Sequence, residues 1–437
     1  MKKRKSIFFK LTKATALAFF LAFALASPIY LQGLGEFLNQ AFSQELISEL
    51  GEISTIKSSF PSSLLADFCL AFFLLALVFL ARSTKAIFII TGAFFGGFYF
   101  YWIGLGGLYL GHAELVFLCL FFAMFYYAAI FALIFHISTW LNGVASVIFK
   151  VLALCFLPSI KLFGFNYHNW GIFLSHAHFK ASELCIFAIF ICAILLTCLK
   201  NRAFACILSL LLLGFFFELD NKVQSIEEVR VLNTTHLQNE LWQEQSSYEN
   251  LRLIDDNLGY DKVLLLPESA FALLLEESAF HERLKKRSIN KAFLLGSAAR
   301  DESFVYNSAF LYENGLAKRF DKHYLVPFSE ETPRFFSYLN DIFFASAPDL
   351  GKGEELNLVK IRGKSYVLAI CYEATQELLY EKAARQNAAL LAMSNNAWFA
   401  FKHEGKLYKS HLEDLQDLLM RFYARKYGVK IAHAKNL

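Results

Sequence analysis

The sequence predicts two domains of different class: a polytopic α-helical membrane bundle of about seven spans over residues 1–219, and an α/β domain over residues 220–437. Three observations predict them. The chain of 437 residues is 56% hydrophobic and holds 49 Phe, far more apolar than an ordinary soluble domain. The long apolar runs fill residues 14–219, whereas charge at globular frequency returns from Asp220 onward. The second half alternates short apolar strands with amphipathic helices, which is the pattern of a layered α/β domain.

In the first half, a bilayer crossing needs about 20 apolar residues, because a rise of about 1.5 Å per residue must match about 30 Å of hydrocarbon. Segments of that kind lie near 13–32, 62–81, 86–108, 114–135, 140–160, 182–199 and 203–219. The first has a rival reading as a cleaved signal peptide, since a basic start and an apolar stretch precede Ala24, Leu25, Ala26 and Ser27. Lys2, Lys3, Arg4 and Lys5 place the N-terminus in the cytoplasm by the positive-inside rule. The loops then alternate. Glu36, Glu45, Glu49 and Glu52 against Lys57 mark an outer loop, while Arg82, Lys85, Lys200 and Arg202 mark inner turns. Seven crossings from an inner start put the second half outside, in the periplasm or its equivalent.

Two polar features interrupt this half. Lys150 lies inside the fifth segment, where a charge near mid-bilayer costs about 2.5–3.5 kcal/mol, so it is expected to pair within the bundle or to snorkel. His168, Trp170, His176 and His178 fall in an outer segment, and their spacing fits an interfacial aromatic loop better than a metal template.

In the second half, strands are expected near Val229–Asn233, Val263–Leu266, Phe293–Ala298, Val305–Leu311, Tyr366–Ile370, Leu390–Met393 and Val429–Ala432. Helices are expected near 237–256, 269–287, 375–386 and 406–427. The net charge of +4 is small and forms no basic stripe, so nucleic acid is excluded as a partner. Seven of the eight cysteines lie in the apolar runs; Cys371 alone falls in the polar half, so it has no disulfide partner there and no CxxC site exists. The phosphate-loop, dinucleotide, serine-hydrolase and zincin motifs are all missing.

Three polar groups fall at strand ends or in the turns between strands, where α/β sheets place chemistry. Glu268 follows Leu264–Pro267, Lys322 and Glu330 flank the run His323–Ser329, and Cys371 follows Leu368–Ile370. Each has a plain structural alternative when taken alone. Cys371 would be a small core residue, Glu268 a helix N-terminal carboxylate, and Lys322 with Glu330 a surface pair worth under about 1 kcal/mol.

Taken together, Glu, Lys and Cys in that order resemble the nitrilase superfamily. The stretches PES, DKHYLVPFSE, AICYE and SNNAWF, with GAFFGGFYFYWIGL in the membrane half, resemble its membrane-bound branch, the apolipoprotein N-acyltransferases. The resemblance covers essentially the whole chain. It implies a nitrilase-like αββα sandwich on the polar side, with Glu268 as general base, Lys322 as oxyanion stabiliser and Cys371 as nucleophile. It implies supporting roles for Glu330, Tyr372, Glu373 and Trp242. Two departures stand out. Asn396 replaces the family's usual Asp in SNDAWF, and the family's GP is missing from the segment through Lys409. The family also continues beyond the strand ending near Ala434 into further strands and a last span, whereas the sequence here stops at Leu437.

The chemistry so implied is acyl transfer without metal or organic cofactor. The donor would be a phospholipid, typically phosphatidylethanolamine, and the acceptor the α-amine of a diacylglyceryl-cysteine apolipoprotein. A membrane-tethered amidase, with water resolving the acyl-enzyme, is the rival enzyme. A transporter or scaffold carrying an inactive periplasmic module is the rival from another class. Lipid-borne substrates further imply that the loops around Phe328, Trp398 and Phe399 face lipid.

Overall fold

A computed structural model describes residues 2–30, 62–109, 111–161, 165–259, 261–327, 329–332 and 349–437; the expected outer-loop glutamates, Lys57 and Phe328 lie outside the described residues. The chain forms two compact units. One comprises Met1–Ile160, His168–Lys222 and His411–Phe422, the other Lys161–Tyr167, Val223–Ser410 and Tyr423–Leu437.

Each of the seven apolar segments carries a helix: Lys2–Ala26, Ser62–Ala81, Lys85–Phe100, Glu114–Ser138, Val144–Cys155, Glu183–Cys198 and Arg202–Gly214. With the 3-10 turns that extend two of them, four are long and apolar enough to cross a membrane: Thr12–Tyr30, Ser62–Ala81, Lys85–Leu108 and Glu114–Ser138. The other three have 12, 16 and 13 residues. Local chemistry sets the shortest of them. Gly143 takes a positive φ of 53° immediately before Val144, and Pro158, which has no N–H, opens a 3-10 turn just beyond Cys155.

Aromatic residues line the outer faces of the long helices. Phe117, Phe121 and Phe125, and likewise Phe68 and Phe72, recur at four-residue spacing and are exposed. A patch of that kind is hostile to water and suits lipid. On the inner face Gly92 and Gly96, one turn apart, let the helix Lys85–Phe100 approach Glu114–Ser138. A Cβ at Gly96 would lie 2.3 Å from the Ala123 carbonyl oxygen.

Lys150 pairs inside this bundle, with Nζ 3.3 Å from the Ala81 carbonyl and 4.6 Å from the Phe135 ring centroid. His168 is buried among Phe95, Tyr99, Tyr127 and Trp170. His178 hydrogen-bonds Asp67 at 2.7 Å through Nδ1. The aromatic setting of the segment agrees with the expected loop, and its histidines are engaged in packing and pairing.

The second unit is a sandwich of two sheets. In the first, β1 (Val229–Val231), β2 (Val263–Leu265) and β4 (Ala292–Arg300) run parallel, followed by antiparallel β5 (Val305–Glu313) and β6 (Leu316–Asp321), while β3 (Phe271–Leu274) pairs with β4 beyond β2. In the second, β7 (Leu358–Ile361) is antiparallel to β8 (Lys364–Ile370), and β8, β9 (Ala389–Asn395) and β12 (Ile431–Asn436) run parallel. A hairpin of β10 (Ala400–His403) and β11 (Lys406–Lys409) stands apart from both. Alternate residues of the two sheets meet in one core, including Leu265, Leu294 and Leu311 from the first and Leu368, Leu391 and Met393 from the second. The outer face of the first sheet packs on the helices Glu244–Asn257 and Ala279–Arg287, and Glu377–Arg385 lies on β8 and β9. The order is helix, sheet, sheet, helix, as the resemblance implied.

Several local expectations are corrected. Residues 269–287 are not one helix: Ser269 has φ 55°, Phe271–Leu274 continue as β3, and only Ala279–Arg287 coil. Residues 406–409 are a strand, because Glu404 and Gly405 at φ 50° and 78° turn a hairpin, and the following helix starts at Leu412. Strands β6 and β7 had not been expected, and the last strand is Ile431–Asn436.

Candidate active site

Parallel strands deliver their chemistry at their C-terminal ends, and three strands converge here. Strand β2 ends at Leu265, and after Leu266 and Pro267 the residue Glu268 turns in toward the sandwich. This turn lies on β4, whose Gly296 donates its N–H to the Pro267 carbonyl at 3.1 Å. A Cβ on Gly296 would sit 2.5 Å from Glu268 Cα and 2.7 Å from Ser269 N, so only glycine lets the turn rest there. Strand β6 leads into Lys322, whose backbone is held on both sides. Its N–H donates to Asn307 O at 2.9 Å, and its carbonyl accepts from Gly353 N at 2.8 Å. Strand β8 ends at Ile370, and Cys371 follows with φ 52°, a conformation that lifts a side chain off the strand end at a cost of order 1–3 kcal/mol.

These residues meet. Lys322 is fully buried, and its Nζ lies 2.9 and 2.8 Å from Oε1 and Oε2 of Glu330 and 3.9 Å from Oε1 of Glu268. Oε1 of Glu268 accepts from Asn307 Nδ2 at 2.7 Å, and Oε2 accepts from the backbone N–H of Asn395 at 2.8 Å. The Cys371 thiol is hydrogen-bonded to the Glu268 carboxylate. Asn307 Nδ2 also donates to Glu330 Oε1 at 2.9 Å, so one amide bridges both carboxylates.

The electrostatics follow. Burial pushes the Glu268 carboxyl above its ordinary range, against the pull of Lys322 and with the help of Glu330. Burial and the Glu268 charge push the Cys371 thiol far above its usual value, with Lys322 opposing them. Burial works against the Lys322 charge, but the attraction of Glu330, Cys371 and Glu268 prevails and holds it protonated. Burial thus favours the protonated forms of the Cys371 thiol and the Glu268 carboxyl, while the lysine keeps its charge. Such an arrangement moves a proton only as the sulfur attacks, and it keeps a positive charge where an oxyanion would form.

The residues expected in support divide into two groups. Glu330 belongs to the cluster, and Val326 N also donates to its Oε2 at 2.8 Å. Glu373 is buried behind Cys371 and accepts from Ile370 N at 2.8 Å, His323 N at 2.7 Å and Tyr324 N at 3.0 Å, which ties the Cys371 turn to the Lys322 loop. Tyr372 points elsewhere: its hydroxyl accepts from Asn166 N at 2.9 Å, beside the Tyr167 ring. Trp242 is exposed and packs edge-to-face on Trp398, 5.7 Å between ring centroids, apart from the hydrogen-bonded cluster. Asn307 and Asn395 were not foreseen as site residues. The only signal for Asn307 was a polar residue inside the apolar run Val305–Leu311.

A family model of the apolipoprotein N-acyltransferase integral membrane domain matches residues 12–218. A protein from Campylobacter jejuni named apolipoprotein N-acyltransferase is 30% identical over 447 residues, spanning 99% of this chain and 89% of its own length. One of the same name from Wolinella succinogenes is 31% identical over 381 residues, 83% of this chain and 86% of its own. Among solved structures, a CN-hydrolase superfamily protein from Xanthomonas campestris aligns with 47% of this chain and 74% of its own at 14% identity and a TM-score of 0.35.

Proposed function

The chain belongs to the apolipoprotein N-acyltransferase family, and from that premise we propose that it moves an acyl chain from a membrane phospholipid, through a thioester on Cys371, to the N-terminal α-amine of a diacylglyceryl-cysteine apolipoprotein. The observation that carries the residue assignment is the meeting of Glu268, Lys322 and Cys371 at the ends of strands drawn from both sheets, with Lys322 held 3.9 Å from Glu268.

In the first half-reaction the Cys371 proton passes to Glu268 as sulfur attacks the ester carbonyl carbon. Lys322 stabilises the oxyanion, an effect commonly worth a few kcal/mol. Collapse breaks the carbon–oxygen bond, and the departing glycerol oxygen takes the proton back from Glu268, which releases a lysophospholipid. In the second half-reaction the α-amine attacks the thioester and gives its proton to Glu268. The sulfur then leaves and is reprotonated. The cycle returns every proton and uses only this chain's side chains. Phosphatidylethanolamine fits the donor role.

For topology, the proposal keeps seven crossings with the sandwich in the periplasm of the inner membrane. Its support is that each of the seven apolar segments carries a helix and that Arg82 and Arg202 flank the turns assigned to the inside. The three shorter helices, of 12, 16 and 13 residues, cover about 18–24 Å each.

The test is acyl loading. Purified protein incubated with labelled phospholipid takes up one acyl group that neutral hydroxylamine removes, and Cys371→Ala and Glu268→Ala take up none. A diacylglyceryl-cysteine peptide with a free amine then discharges the label onto itself, whereas an N-blocked peptide leaves it on the enzyme. Release as free fatty acid at one rate with either peptide would establish a hydrolase instead.

A further inference from the structure

Among the described residues, the backbone donor to the Glu268 carboxylate is the N–H of Asn395, which comes from the opposite sheet. What fixes Asn395 is a chain of buried amides. Its Nδ2 donates to Gln238 Oε1 at 2.9 Å, and its Oδ1 accepts from Asn436 Nδ2 at 2.9 Å. Asn436 is the register neighbour of Asn395 on β12, and its Oδ1 in turn accepts from Thr234 Oγ1 at 2.8 Å and His236 N at 2.9 Å. Asn436 Nδ2 also reaches His236 O at 2.9 Å. The backbone doubles the link, since Thr234 N donates to Lys435 O at 3.0 Å and Leu437 N to Thr234 O at 2.7 Å. Thr234, Gln238, Asn395 and Asn436 are all buried. The loop after β1 of the first sheet thus clasps the last strand of the second.

Asn436 donates twice through Nδ2 and accepts twice at Oδ1, and a buried network of that kind is costly to disturb because each broken link leaves a stranded polar group. The stranded cost alone would be a structural role. Its position makes it more, because the clasp ends on one oxygen of the group that takes the thiol proton.

We infer that Asn436 and Thr234 are positioning residues for the reaction: through Asn395 they hold a backbone N–H on Glu268 Oε2 and so keep that carboxylate ionised and aimed at Cys371. The inference rests on the reading of Glu268 as the base of Cys371. The groups facing Glu268 are Lys322, Glu330, Asn307 and Cys371, and the Asn395 N–H is the remaining contact that favours its charge. Loosening it raises the pH at which Glu268 ionises.

The experiment follows Cys371 alkylation by iodoacetamide against pH in the full-length protein, measured on the Cys371 peptide by mass spectrometry, which needs no lipid substrate. Asn436→Ala and the near-isosteric Thr234→Val are each expected to move the acidic limb upward by about one pH unit, roughly tenfold in rate below the limb. Thr234→Ser keeps the hydroxyl and is expected to keep the wild-type limb. If Asn436→Ala does not fold, Thr234→Val decides. An unmoved limb in a stably folded Thr234→Val overturns the inference and leaves the clasp as structure only. A wild-type limb that Glu268→Gln fails to change removes the base assignment itself, a separate outcome.

Discussion

Lys322 Nζ stands 3.9 Å from Glu268 Oε1, inside the range of charge attraction and outside that of a hydrogen bond. The firm partner of the lysine is Glu330 at 2.8 Å, so its charge is anchored without being locked onto the base. On the proposed roles, an ammonium so tethered can lean toward an oxyanion on the substrate of Cys371 without first releasing Glu268.

Lys322→Ala is expected to slow thioester formation from phospholipid by about 10² to 10³ while leaving Cys371 alkylation detectable. Glu330→Gln keeps the lysine but weakens its anchor, and its single-turnover rate should fall between those of wild type and Lys322→Ala. Equal loss in both variants would show instead that the pair acts as one structural unit.

Burial raises the Glu268 carboxyl, and a base must be ionised, so loading should fall as pH drops through a value above the ordinary carboxylate figure of about 4.3. The sign for folding is opposite. A carboxyl raised in the folded state contributes stability that is fully present below its unfolded pKa and is lost as pH rises through the folded one. Loss of loading in acid with a melting temperature that holds at its neutral value therefore reports the base rather than unfolding.

Glu373→Gln should be as damaging as Glu373→Ala. Both carboxylate oxygens accept backbone N–H groups, and an amide would turn its own N–H₂ against one set of them. A cost of about 1–3 kcal/mol per stranded donor is expected in denaturant melts, with loading reduced in step. A Gln variant that retained wild-type loading would assign Glu373 no part in holding the nucleophile turn.

Gly296→Ala is expected to abolish loading with only part of the fold's stability lost. The added methyl meets Glu268 Cα and Ser269 N, which are backbone atoms that cannot rotate away, so Glu268, the proposed base, must move. Wild-type loading in this variant would mean that the Glu268 turn is not seated as described.

A periplasm-dependent reporter fused after Leu437 should be active, and one that works only in the cytoplasm should be silent. The reverse pattern would overturn the orientation drawn from Arg82, Lys85, Lys200 and Arg202.

What the sequence disclosed followed the strength of its physical signal. The apolar runs and the strand-end placement of Glu268, Lys322 and Cys371 were legible because hydrophobic length and a polar residue after an apolar run are local patterns. The strand β3 was not, because Phe271–Leu274 looks helical in series with Ala279–Arg287 until Ser269 turns the chain. Asn307 and Asn395 were also hidden. Their importance comes from strand register across two sheets, and no window along the chain contains it. The hydroxyl of Tyr372, next to Cys371 in sequence, accepts from Asn166 N, a partner that no window along the chain contains.

The left-handed backbone at Cys371 has a consequence for how this position would drift. Glycine and asparagine adopt that conformation most readily, and a thiol-bearing residue does so at a cost. Cys371→Gly should therefore give an inert protein whose nucleophile turn is more relaxed than that of the native chain. Cysteine at this position thus costs backbone stability that glycine would return, and only the use of its thiol offsets that cost.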